Sequence, residues 1–105
     1  MSHIAENLVN FIQPEALITK WNTITEELVK SSTAQQVPMT TAYKYKGDFY
    51  RLLSDISNID YRFWYPTLIV NGLTSPLEYD GQTLIIYTPN IALLNKYYTM
   101  FTKNM

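Results

Sequence analysis

Apolar residues recur along this chain mostly at helical intervals, and the polar stretches between them mark the joints. Ile4, Leu8, Phe11 and Ile12 fall on one face of a first amphipathic helix that Ser2 can cap. Pro14 suits the first position of a second helix, where its missing N–H has no bond to lose, and Glu15 suits the positive helix end. From there Leu17, Trp21, Ile24 and Leu28 form a narrow, heptad-like stripe. A stripe of four or five turns needs a surface to pack on, either the rest of its own domain or another subunit.

Ser31 to Thr41, SSTAQQVPMTT, is polar and aperiodic and reads as a linker ending in an extended Val-Pro step. AYKYKGD then alternates aromatic and lysine residues, which predicts a short strand stopping at Gly47. Asp48 is a suitable N-cap for a helix carrying Phe49, Leu52, Leu53 and Ile56, which Ser57 and Asn58 end. Asp60 restarts a turn, and a further helix begins near Trp64 or Tyr65, because Pro66 is tolerated only in a first turn. Gly72 closes that helix, with Trp64, Leu68 and Ile69 inward. QTLIIYTP predicts a second strand between Gly81 and Pro89. Asn90 caps a terminal helix with Ile91, Leu94, Tyr97, Tyr98 and Phe101 on one face. The expected organisation is an N-terminal helical extension (1–30), a linker (31–41), a core (42–89) and a C-terminal helix (90–105), in an α+β fold whose two strands pair antiparallel with the helices on one face.

Composition narrows the function classes. Eight basic against nine acidic residues give a net charge of −1, too weak a field to collect nucleic acid, and Lys44 and Lys46 beside Tyr43 and Tyr45 read as a solvated strand face. No apolar run reaches the roughly 18 to 20 residues that span a bilayer, and the N-terminus lacks a leader pattern, so synthesis in a cytoplasm and no membrane partner are expected. Without cysteine there is no thiolate nucleophile, and with His3 as the lone histidine neither a Ser-His-Asp triad nor a histidine metal cluster can be assembled. Asp48, Asp55, Asp60, Glu78 and Asp80 are candidates for a carboxylate pair, but capping and turn roles account for them. No enzyme activity, cofactor or metal is expected. Nine tyrosines in so short a chain suit a core of large side chains and an interface equally.

The segment from Ala42 to Tyr87 resembles a LysM domain through four features in order: YKYKGDFYRLLSDIS, an aromatic turn containing Trp64, VNGLTSP and YDGQTLII. The resemblance implies a strand-helix-helix-strand core. It also implies a shallow groove for N-acetyl sugars, lined by Gly47, Asp48 and Phe49 on one side and by Gly72, Leu73, Thr74, Ser75, Pro76 and Tyr79 on the other. A bulky Phe49 stands where the family has a small residue and would fill that groove. Short chains with helical extensions and a tryptophan in an aromatic turn are similar to the LysM-like tail proteins of bacteriophages. That likeness implies a structural adaptor of a virion baseplate, present in several copies among other tail proteins, with binding of peptidoglycan or chitin as the alternative. Leu17, Trp21, Ile24 and Leu28, with Tyr97, Tyr98 and Phe101, are the expected partner-binding residues, as large apolar anchors desolvated at a contact.

Overall fold

The computed structural model describes residues 15–103, so the expected first helix around Ile4 to Ile12, with Ser2, His3 and Pro14, lies outside the described residues. The fold is α+β: helices α1 (Glu15–Thr23) and α2 (Thr25–Ser31), strand β1 (Thr33–Gln36), helices α3 (Met39–Lys44), α4 (Phe49–Ile56) and α5 (Trp64–Val70), strand β2 (Ile85–Thr88) and helix α6 (Ile91–Thr102). Short 3-10 turns at Tyr61–Phe63 and Pro76–Glu78 precede α5 and β2 respectively.

The stripe from Leu17 to Leu28 is carried by two helices. Three β-branched residues, Thr23, Ile24 and Thr25, stand at the break, and the threonine hydroxyls bond back to the carbonyls of Lys20 (2.6 Å) and Asn22 (3.0 Å). Such back-bonding competes with regular helix. Both helices lie against α5 and α6. The extension therefore packs on its own domain: Leu17, Trp21 and Leu28 are buried, and Ile24 is partly so. Trp21, fully buried, meets Phe63 edge-on at 6.5 Å and Phe101 at 5.2 Å, and Phe63 meets Tyr98 at 5.9 Å. The N-terminal and C-terminal helices share one core with the middle of the chain.

The first strand is displaced from its expected place. Residues of the expected linker form β1, which pairs antiparallel with β2 in the register Thr33–Thr88, Ala34–Tyr87, Gln35–Ile86 and Gln36–Ile85. Its most buried residue is Gln35, whose amide donates to the Ile56 carbonyl (2.9 Å) and accepts from the Ser57 hydroxyl (2.7 Å) at the end of α4. A polar residue bonded through both ends of its amide replaces the apolar one that would mark a strand.

The expected strand at Ala42 to Lys46 is helical. Ala42 and Tyr45 are buried three residues apart, whereas Tyr43 is 76% exposed, so burial follows the helical period and the aromatic-lysine alternation is a surface feature. Three helices consequently lie between the strands where two were expected. Further along, Asp48 precedes α4 without capping it, and its carboxylate pairs with Arg51 at 3.6 Å.

The remaining joints follow the sequence pattern. Asp60 accepts from the Arg62 N–H (2.9 Å), Asn90 accepts from the Leu93 N–H (3.0 Å), and Gly72 closes α5 at φ +76°. There the Leu73 N–H reaches the Leu68 carbonyl at 3.3 Å in a Schellman arrangement.

Candidate functional site

The loop from Asn71 to Leu84 is ordered by its own short polar side chains. Glu78 accepts from the Thr74 N–H (2.9 Å) and hydroxyl (2.5 Å), and Ser75 accepts from the Leu77 N–H (3.2 Å). One Asp80 oxygen accepts from the N–H groups of Gln82 and Thr83, both at 2.8 Å. These bonds favour the charged forms, holding the Glu78 and Asp80 carboxyls below their ordinary values; Arg62 does the same for Asp60. Lowered values mean stability that is in place above the ordinary 3.8 of Asp and 4.5 of Glu and is lost as pH falls through the folded-state values. The urea midpoint should hold between about pH 5 and 8 and drop below about pH 4, with D80N flattening part of the drop.

The two segments expected to flank a sugar groove do come together, but they close on each other. The Gly47 N–H donates to the Tyr79 carbonyl at 2.8 Å, and the rings of Phe49 and Tyr79 pack at 5.7 Å, both buried. Pro76 is buried as well. The exposed remainder, Gly72 and Thr74, with Leu73 and Ser75 half-buried, forms the outer rim of the loop.

A depression of about 220 Å³ remains along the outer edge of β2, between the end of α5 and the loop; Phe49, Leu73 and Tyr79 of the expected sugar groove line it together with Val70 and Ile85. Its geometry follows from the sheet register. The Val37 N–H donates to the Leu84 carbonyl at 2.8 Å, which makes residues 84, 86 and 88 the ones bonded to β1 and turns the main-chain groups of Thr83, Ile85 and Tyr87 outward. Asn71 closes the edge at Tyr87: its amide donates to the Tyr87 carbonyl and accepts from the Tyr87 N–H, both at 2.8 Å, as a neighbouring strand would. At the other end the Thr83 N–H goes to Asp80, and its carbonyl accepts from the Tyr79 hydroxyl at 2.7 Å.

The Asn71 amide also donates to the Thr67 carbonyl at 2.7 Å, tying α5 to β2. N71A should cost about 0.5–1.5 kcal/mol, the net worth of an ordinary hydrogen bond, because the Tyr87 groups it frees are open to water. Hydrogen exchange should show Tyr87 losing protection before the core helices do.

The side chains of Ile85 and Tyr87 stand on the open face of the sheet, 47% and 46% exposed. Of the expected partner-binding residues, Leu17, Trp21 and Leu28 are committed to the chain's own core, which corrects their reading as free anchors. Ile24, Tyr97, Tyr98 and Phe101 pack partly against that core, and the Tyr97 hydroxyl bonds to Glu27. Ile85 is not singled out by the sequence, and Asn71 is read from it only as a helix end. The Asn-Gly pair signalled a helix end, but the second role of Asn71 depends on β2 lying within reach.

The carboxylates named from sequence are dispersed among local partners: Asp55 accepts from the Tyr45 hydroxyl at 2.7 Å, Asp48 faces Arg51, Asp60 faces Arg62, and Glu78 and Asp80 order their own loop. Among the described residues no group of three His, Cys, Asp or Glu side chains is placed to hold a metal ion, and no helix is long and apolar enough to cross a membrane. Comparison with protein-family models, curated proteins and solved structures finds no match to this chain.

Proposed function

We propose that this chain is a LysM-like module acting as a non-enzymatic structural adaptor of a phage virion, joining neighbouring subunits of a tail baseplate in several copies. The reading rests on the sequence resemblance; two antiparallel strands do bracket the Gly-Asp turn and the Asn-Gly helix end, with β1 lying ahead of the segment that carries the resemblance. The observation that favours an adaptor over a sugar-binding module is the Gly47–Tyr79 bond beside the buried Phe49 and Tyr79 rings, which narrows the expected groove to the small depression beside β2. With Trp21 and its neighbours engaged internally, the open sheet face around the exposed Ile85 and Tyr87 is one surface on which other subunits would dock. Large apolar groups excluded from water at such a contact would supply the binding energy, since the net charge is small.

Native mass spectrometry of the purified chain, alone, with peptidoglycan or chitin fragments, and with candidate tail and baseplate proteins, tests the proposal. A complex of defined stoichiometry with a tail protein is the expected result. A sugar adduct without any tail-protein complex would overturn it and restore the glycan-binding reading.

A further inference from the structure

Three alternate outward-facing residues, Thr83 just ahead of β2 and Ile85 and Tyr87 within it, are treated differently. Thr83 and Tyr87 have both main-chain groups bonded, by Asp80 and the Tyr79 hydroxyl at one end and by the Asn71 amide at the other. Ile85, between them, has neither its N–H nor its C=O bonded to any described residue, and both groups turn into the depression beside β2. The flanking caps prevent a full strand from adding to this edge, which excludes sheet extension by a second copy of β2. What they leave is a place for one residue of a crossing chain.

The depression itself selects further. At about 220 Å³ it is smaller than the roughly 300 Å³ at which pockets for drug-sized molecules begin, so it suits a side chain better than a free ligand. Val70, Leu73 and Tyr79 give it apolar walls, while Glu78 and Asp80 stand at its rim without an ion pair to any described cation. Their hydrogen-bond partners are neutral, so the two negative charges remain for an incoming group.

We propose that this depression receives an extended, basic segment of a partner protein, one residue of which exchanges both main-chain hydrogen bonds with Ile85 while a neighbouring apolar side chain enters the depression and Lys or Arg faces Glu78 and Asp80. This is strand addition reduced to a single residue pair, with charge choosing the partner. The inference deepens the adaptor reading by naming one contact surface and the chemistry of what it holds.

The test uses the full chain, labelled with ¹⁵N, and three blocked peptides: Ac-TKVTVKT-NH2, its acidic counterpart Ac-TEVTVET-NH2, and the basic peptide N-methylated at its three central residues. The basic peptide should move the Ile85 amide downfield with saturation at millimolar concentration. The other two should bind at least about tenfold more weakly, one for lack of charge complementarity and one for lack of the main-chain exchange. I85P removes the N–H from a position that makes no bond to β1, and should abolish the response; should it unfold the chain, E78Q and the N-methylated peptide still decide, each expected to weaken binding.

An unmoved Ile85 amide, equal binding of the acidic peptide, or equal binding of the N-methylated one would overturn the proposal. So would shifts of the same amide caused by protein concentration alone or by chitotetraose, which would assign the depression to a second copy or to a sugar. A tail-protein complex that survives I85P and E78Q leaves the adaptor reading standing without this surface. A peptide response in the absence of any tail-protein complex does the reverse.

Discussion

Replacing Trp21 by alanine should destabilise the whole domain by about 3–5 kcal/mol, the range for emptying a large aromatic site in a core. The indole is fully buried and touches two elements remote in sequence, Phe63 ahead of α5 and Phe101 in α6, through edge-to-face contacts. Its loss leaves a cavity where the N-terminal helices, the centre and the C-terminal helix meet. With small domains commonly stable by only about 5–15 kcal/mol, a loss of this size brings the chain close to unfolding at ambient temperature. Urea denaturation followed by circular dichroism measures it. A midpoint within error of the parent would mean that Trp21 is dispensable to the core and free for a partner, as the sequence alone allowed.

Gly81→Val should have an effect of comparable size through the backbone. Gly81 has φ +72°, where a β-branched residue is a conformational outlier, and the left-handed region by itself costs about 1–2 kcal/mol. A Cβ there would stand 2.8 Å from the Lys46 Cβ and 3.3 Å from the Ala42 carbonyl oxygen, so α3 and the entry to β2 must separate to admit it. Overpacking of this kind adds about 1–3 kcal/mol. Thermal unfolding should show a lowered midpoint, and exchange of the Gly47 amide, bonded to Tyr79 just before the turn, should accelerate. Gly81→Ala should fall between the parent and valine, because alanine meets the same contacts without β-branching.

This glycine also explains much of the crowded stretch VNGLTSPLEYDGQTLII. Asn71 and Gly72 end α5, Ser75 and Pro76 start a 3-10 turn, Asp80 caps the next turn, and Gly81 lets the chain pass close beneath α3. Its turn-formers serve the path from α5 to β2, and the depression beside β2 arises where that path leaves one strand residue uncovered.

Local chemistry was legible at most positions where a residue acts on its own neighbours, Asp48 being the exception. The cap at Asn90, the turn at Asp60, the left-handed Gly72, the amphipathic face of α4 and the strand Ile85–Thr88 follow from side chains within a few positions of the groups they satisfy. The misplaced first strand has a different cause. Thr33–Gln36 lacks apolar alternation because its inward Gln35 is satisfied by the end of α4, twenty-one residues away in sequence, and only the folded chain brings those groups together. Ala42 to Lys46 alternates like a strand, yet Ala42 and Tyr45 both meet the core only when the segment is helical, which the local pattern does not decide.

The candidate site divides in the same way. Sequence by itself determined the α+β class, the placement of most caps and turns, the lack of cysteine and a net charge of −1. Tertiary structure alone decided that the stripe of Leu17, Trp21 and Leu28 is core, that Gly47 bonds to Tyr79 across the expected groove, and that Ile85 is the one outward residue of β2 left open. The physical reason is that periodicity records how much of a side chain must be shielded from water, whereas which surface shields it, and which main-chain groups are left without partners, depends on contacts distant in sequence.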